Sequence, residues 1–131
     1  MSSPLVTAFY AAPLALMAMG LSMHVTMLRA KTGISIMDGG KLELAERIRR
    51  HGNFIETVPL ILLLMTLAEL SAVNPTWLHF SGVLLIAGRA FHAAGLKHDN
   101  AKAPLRIAGG MATNIAALTM ICNIVAIAFI K

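Results

Sequence analysis

Apolar residues in this chain gather into four long runs separated by short polar stretches, with little strand-like alternation. The first run extends from about Leu5 to Leu28. The second begins in a polar stretch near Leu42 and becomes apolar from Phe54 to Leu70, with Glu56 inside it. The third covers Trp77 to Leu96, and the fourth Leu105 to Ile130. Each is long enough to cross a hydrocarbon layer of ~30 Å, which takes ~20 helical residues. Chain inside a bilayer must satisfy its own backbone groups, so all four runs are predicted as helices. The expected fold is an all-α integral membrane four-helix bundle. One transmembrane domain is expected over residues 1–131, with spans at about 5–28, 48–70, 77–96 and 105–130. No repeat, low-complexity tract or linker divides the chain.

The connections differ in length and charge. Lys31 to Lys41 is a true loop with Gly33, Asp38, Gly39 and Gly40 as turn residues. Ser71 to Pro75 is a tight uncharged turn, and Pro75 suits the first position of a helix. Lys97 to Pro104 is short and polar. Basic residues crowd the first and third connections: Arg29, Lys31, Lys41, Arg47, Arg49 and Arg50 at one, Arg89, Lys97, Lys102 and Arg106 at the other. The excess of positive charge on these two predicts that they face the cytoplasm, with both termini outside it.

Composition agrees with the pattern. The 131 residues are 57% hydrophobic and only 13% charged, about half the usual charged share. The net charge of +5 sits beside the apolar runs and does not imply nucleic acid, since aromatics are too few for a stacking surface. The N-terminal run is too long, and lacks the basic start, for a cleaved secretion signal. Cys122 is the only cysteine and is expected to be a small core residue. The nine methionines are expected to be mostly apolar filler.

Candidate chemistry concentrates where the second run begins. Arg49, Asn53 and Glu56 are spaced i, i+4 and i+7, which puts them on one helical face. Glu46 falls on the same face, and Leu60, Leu63 and Leu67 continue it toward the far side. Glu56 lies about two turns inside the apolar segment, where a carboxylate is costly and calls for a cationic partner. A guanidinium, an amide and a carboxylate on one face suit a small zwitterionic ligand. On the third helix Arg89 and His92 are spaced i, i+3, and Arg89 is expected to partner Glu56. On the fourth, Arg106 falls in the first turn, positioned either to snorkel or to stabilise an anion. Gly109, Thr113 and Ala117 form a ridge of small residues that permits close packing within or between subunits. Asn114 and Asn123 are expected to bond between helices, and His24 to be a bundle residue. Arg29 either snorkels or reaches a site on a neighbouring subunit.

No metal-ligand spacing, phosphate loop, dinucleotide glycine motif or nucleophile elbow occurs, so no metal is expected. These residues leave three readings open. One is an enzyme in which Arg106 stabilises an anionic sulfur or oxygen. Another is a non-catalytic membrane protein that binds an anionic small molecule or lipid headgroup in the same pocket. The third is a bundle whose Arg–Glu pairs only fix helix register.

The pattern Arg49-x-x-x-Asn53-x-x-Glu56-x-x-Pro59, preceded by Asp38-Gly39-Gly40 and followed by Gly88-Arg89-Ala90-Phe91-His92, resembles the MAPEG family of membrane-associated proteins in eicosanoid and glutathione metabolism. The form His51-Gly52-Asn53-Phe54-Ile55-Glu56 is similar to its bacterial branch. The resemblance implies homotrimers of four-helix subunits, in a bacterial inner membrane, that bind glutathione between subunits on the cytoplasmic side. By the same resemblance Arg49 holds a glutathione carboxylate, Asn53 and Glu56 hold the tripeptide and its amine, and Arg89 and His92 line the site. Arg106 matches an arginine that stabilises the thiolate, and the second substrate is a lipophilic electrophile arriving from the bilayer. The implied activity is that of a glutathione transferase or peroxidase. Gly52 and Thr57 stand where eicosanoid-forming members carry Arg and Tyr, Leu96 and Ile107 where some members carry Tyr and Ser, and Glu46 where several carry Arg. The implied glutathione contacts are correspondingly fewer.

Overall fold

The computed structural model describes residues 3–130, without the side chain of Ile130. Four helices follow one another: α1 (Leu5–Thr32), α2 (Leu42–Leu70), α3 (Pro75–Gly95) and α4 (Pro104–Ile130). The bundle is the expected all-α membrane architecture, and α1, α2 and α4 are each long and apolar enough to cross a bilayer. Although α3 has 21 residues, it falls outside that group because His79, Arg89, His92 and three glycines lower its hydropathy.

Local chemistry sets the ends of these helices. The last turn of α1 closes on Gly33, whose φ of 70° is the left-handed conformation that favours glycine, and its N–H bonds Arg29 O at 2.9 Å. Asn74 caps α3 by accepting Thr76 N at 2.9 Å, and Pro75 takes the first helical position as predicted. The start of α1 is capped from outside its own sequence. Glu69, in the last turn of α2, accepts the backbone N–H groups of Val6 and Thr7, each at 2.8 Å, and the Thr7 hydroxyl at 2.7 Å. Two otherwise orphaned helix N–H groups and one buried hydroxyl are thereby satisfied by a single carboxylate.

The interior is built from Tyr10 and Leu14 of α1, Phe54, Val58, Ile61 and Met65 of α2, Leu78 and Leu85 of α3, and Ala116 and Met120 of α4. The closest approach is between α3 and α4. A Cβ on Gly109 would meet the His92 backbone and stand 2.5 Å from Gly88 O, and one on Gly88 would stand 2.8 Å from Thr113 Oγ1. The small-residue ridge is therefore spent within this subunit, against α3.

Several expectations need correction. In a bilayer the apolar outer surface is solvated by lipid or a neighbouring chain, so apolar character does not imply burial. Cys122 is exposed on α4 rather than in the core. Met65 and Met120 fill the interior, but Met19, Met23, Met27, Met37 and Met111 face outward. Asn123 bonds Thr119 O of its own helix at 2.8 Å, and Asn114 faces outward, so neither bridges helices. His24 is likewise exposed, its Nδ1 bonded to Gly20 O of the preceding turn at 2.8 Å.

Candidate functional site

At the basic end of the bundle α2 presents the face that its spacing predicts. Arg49 Nη1 lies 3.1 Å from Glu56 Oε1, its Nη2 lies 3.4 Å from Glu56 Oε2, and Nη2 also reaches Asn53 Oδ1 at 3.4 Å. The Asn53 amide returns a bond to Arg49 O at 3.1 Å, which fixes which way it points. The pair is open to its surroundings, with the Arg49 and Glu56 side chains 59% and 54% exposed. An exposed ion pair contributes little to stability. Its value here is that a guanidinium and a carboxylate are held ready on an accessible face.

Arg89 behaves differently. It is 4% exposed and has no carboxylate partner among the described residues. Its Nε donates to Thr113 Oγ1 at 3.0 Å, and its Nη1 to Thr57 Oγ1 at 3.2 Å and Asn53 O at 3.4 Å. The expected Arg89–Glu56 pairing is thus corrected. Arg49, on the same helix as Glu56, takes the carboxylate, and Arg89 is solvated by neutral oxygens. Thr57 and Thr113 can both serve because each hydroxyl donates its proton to its own helix, to Asn53 O and Gly109 O at 2.8 Å, and leaves lone pairs for the guanidinium.

His92 is half-buried one turn along α3, its backbone against Gly109, within electrostatic reach of Arg89, Arg106 and Arg49. Arg106 is half-buried in the first turn of α4 as expected, and with Arg49 it lines a cavity of about 240 Å³ closed by Ala45, Glu46, Leu96, Lys97 and His98. The fold therefore brings Arg49, Asn53, Glu56, Arg89, His92 and Arg106 to one end of three helices. Three guanidiniums share this end with two carboxylates: Arg49 pairs with Glu56, Arg106 lines the cavity with Arg49 and Glu46, and Arg89 bonds neutral oxygens. An uncompensated cluster of that kind favours an anion, above all a carboxylate that can take a guanidinium in a two-pronged contact.

Arg29 is not part of this cluster. Its Nη1 donates to Ile34 O at 3.1 Å and Met37 O at 2.9 Å and ties down the first loop of its own chain. Sequence spacing also missed two contributors, Lys97 and His98, and the direction in which Glu46 turns. Glu46 turns sideways to Arg50 and His98, and Lys97 and His98 enter the cavity from the third connection. The Glu46-x-x-x-Arg50 spacing was a visible signal for one ion pair, but nothing local indicated the contact with His98. A larger open groove of about 460 Å³, lined by Trp77, Ile115, Leu118, Thr119, Cys122, Asn123 and Ala126, lies away from the arginines and is almost wholly apolar.

Residues 7–126 match the sequence pattern of the MAPEG family. This chain belongs to that family. The match takes in all six clustered site residues as well as most of the four helices. The chain is 37% identical, over 94 residues that make up 72% of each protein, to the inner membrane protein YecN of Escherichia coli K12. The YecN protein of the E. coli O6:H1 strain CFT073 is similar to the same degree. No solved structure gives a significant match. The multi-pass membrane architecture thus rests both on the helices and on a relative named for its membrane.

Proposed function

We propose that this MAPEG member binds glutathione among Arg49, Asn53, Glu56, Arg89 and His92 and uses it as a transferase or peroxidase on lipophilic electrophiles. The observation that carries this reading is the gathering of Arg49, Arg89 and Arg106 at the basic end, more positive charge than Glu46 and Glu56 offset. Glutathione supplies what that arrangement lacks, two carboxylates for the arginines and one amine for Glu56. Family membership supports glutathione over other small zwitterions.

In this mechanism Arg49 engages a carboxylate of the tripeptide and Glu56 exchanges its present partner for the ligand amine. Arg89 contributes fixed positive charge, and because it is already desolvated it needs little reorganisation to do so. Arg106 faces the thiol. A guanidinium beside the sulfur favours thiolate over thiol and so raises the nucleophilic fraction. The thiolate attacks an electrophilic carbon to form a thioether, either displacing a leaving anion such as halide or adding to an activated double bond whose other carbon then takes a proton from water. With a hydroperoxide it takes the terminal oxygen and releases an alcohol, and a second glutathione reduces the resulting sulfenic acid.

The cavity in one subunit is about 240 Å³, below the usual range for a small-molecule site, and Arg49 and Glu56 lie open beside it. A homotrimer that seats each site against a neighbouring chain supplies the missing wall and covers polar side chains that a bilayer would penalise. The basic end then faces the cytoplasm, where glutathione is available, in a bacterial inner membrane.

A specific observation keeps a non-catalytic alternative in view. Thr57, the hydroxyl nearest the cluster on α2, is fully engaged with Asn53 O and Arg89, so it is not free to bond the sulfur. A membrane protein that binds an anionic small molecule or lipid headgroup in this pocket needs no such group. Steady-state kinetics of Arg106→Ala with an aromatic electrophile distinguish the two readings. The enzyme reading predicts that kcat falls by at least tenfold with a smaller change in KM for glutathione. An unchanged kcat removes Arg106 from the chemistry, and no turnover by the wild type favours the binding protein.

A further inference from the structure

One carboxylate ties the α3–α4 connection to α2 beside the arginine cluster. Glu46 Oε1 accepts the backbone N–H of His98 at 2.8 Å and lies 2.6 Å from its ring Nδ1. Glu46 Oε2 takes Arg50 Nη2 at 3.3 Å. Arg50 in turn donates Nε and Nη2 to Leu96 O at 3.1 and 2.8 Å, at the end of α3. Segment 96–98 is thus held by a single turn of α2. Beyond the buried Leu96 the connection has little else to hold it, since residues 97–102 are all exposed.

The held segment is also a wall. Leu96, Lys97 and His98 close one side of the cavity that contains Arg49 and Arg106, and Glu46 lines it too. The position of the connection and the opening of the cavity are therefore one variable. Exposed loops open at far lower cost than packed helices, so the contacts that pin such a loop govern how often it opens. Glu46 is well placed for this task. Its side chain is only 16% exposed, and its i, i+4 partner Arg50 orients it before the loop arrives.

We propose that Glu46 is a positioning residue whose clasp with His98 and Arg50 keeps the α3–α4 connection closed over the Arg49–Arg106 cavity. Release of the clasp opens the cavity to small charged solutes. Its consequence for glutathione entry rests on the proposed function, whereas the clasp itself does not.

The test is the rate at which a cysteine in the cavity is modified. Ala45 lines the cavity, so Ala45→Cys is introduced in a Cys122→Ser background of the full chain in detergent. Its modification is timed with a negatively and a positively charged methanethiosulfonate reagent. Glu46→Ala is expected to speed both reagents by about tenfold, as release of a loop should. His98→Ala, which leaves the Glu46 charge in place, speeds both by a smaller factor. Glu46→Gln, which still accepts the His98 N–H, stays closer to the parent. If Glu46→Ala speeds only the negative reagent, the effect is lost charge and the clasp is refuted. Equal rates in all variants refute it as well. Should Glu46→Ala fail to fold, His98→Ala decides alone, and unchanged rates there overturn the proposal. S-methylglutathione, which cannot consume the reagents, slows labelling of the parent if glutathione binds here. Absence of that protection counts against the glutathione reading and leaves the rate comparison among variants to decide the clasp.

Discussion

Arg89 carries the sharpest energetic question among the side chains. A guanidinium buried among neutral oxygens keeps its hydrogen bonds but lacks a counter-charge. Burying an unpaired cation costs free energy, and an apolar replacement of similar volume is often neutral or stabilising. Thr57 and Thr113 remain satisfied without it through their own helix carbonyls. Arg89→Met is therefore expected to keep or raise the thermal unfolding temperature. Its glutathione affinity should fall by roughly tenfold or more, the worth of a charge-assisted contact of about 1.5–3 kcal/mol. A thermal melt and a binding titration on the same preparation check both halves. A large loss of stability with unchanged affinity would make Arg89 structural. Residue identity and spacing made Arg49, Asn53 and Glu56 legible as one face, because a helix fixes which residues share a side. They gave Arg89 the wrong partner, because that depends on how α3 is rotated against α2 and α4. The same rotation hid the Glu46–His98 contact.

Among the elements, the pairing of α3 with α4 positions the site. His92 and Arg106 are brought together only because Gly109 lets the two backbones touch near Gly88 and His92. Gly109→Val would drive a branched side chain into that backbone, and overpacking costs about 1–3 kcal/mol or more. The expected result is a lower thermal midpoint together with weaker ligand binding, since separating the helices displaces both residues. The Gly110→Ala control stays close to wild type, because a Cβ there meets only the His92 ring at 4.0 Å. Helix number was readable from runs of apolar residues matched to bilayer thickness. Burial within each helix was not, as Cys122 and the outward methionines illustrate. An outer surface in lipid removes the contrast between inside and outside that periodicity detects in soluble proteins. Glu69 stood near the end of an apolar run without an evident purpose until the fold placed the first turn of α1 against it.

For the whole molecule, charge is divided between the two ends. The end with the first and third connections carries nearly all the arginines and lysines, and the other is closed by Glu69 and by the Tyr10–His79 contact at 2.9 Å. A bundle of this kind, apolar around its circumference and strongly basic at one end, is suited to bring a water-soluble anion and a lipid-soluble partner to a common boundary. On the proposed function, the basic end receives glutathione through Arg49, Asn53 and Glu56. Calorimetric titration of glutathione into the detergent-solubilised protein, with Glu56→Gln beside it, tests this most directly. Saturable binding by the wild type that is lost or weakened at least tenfold in Glu56→Gln is the predicted result, since the variant loses the charge that meets the ligand amine. No heat at millimolar glutathione, or equal binding by both proteins, would contradict it.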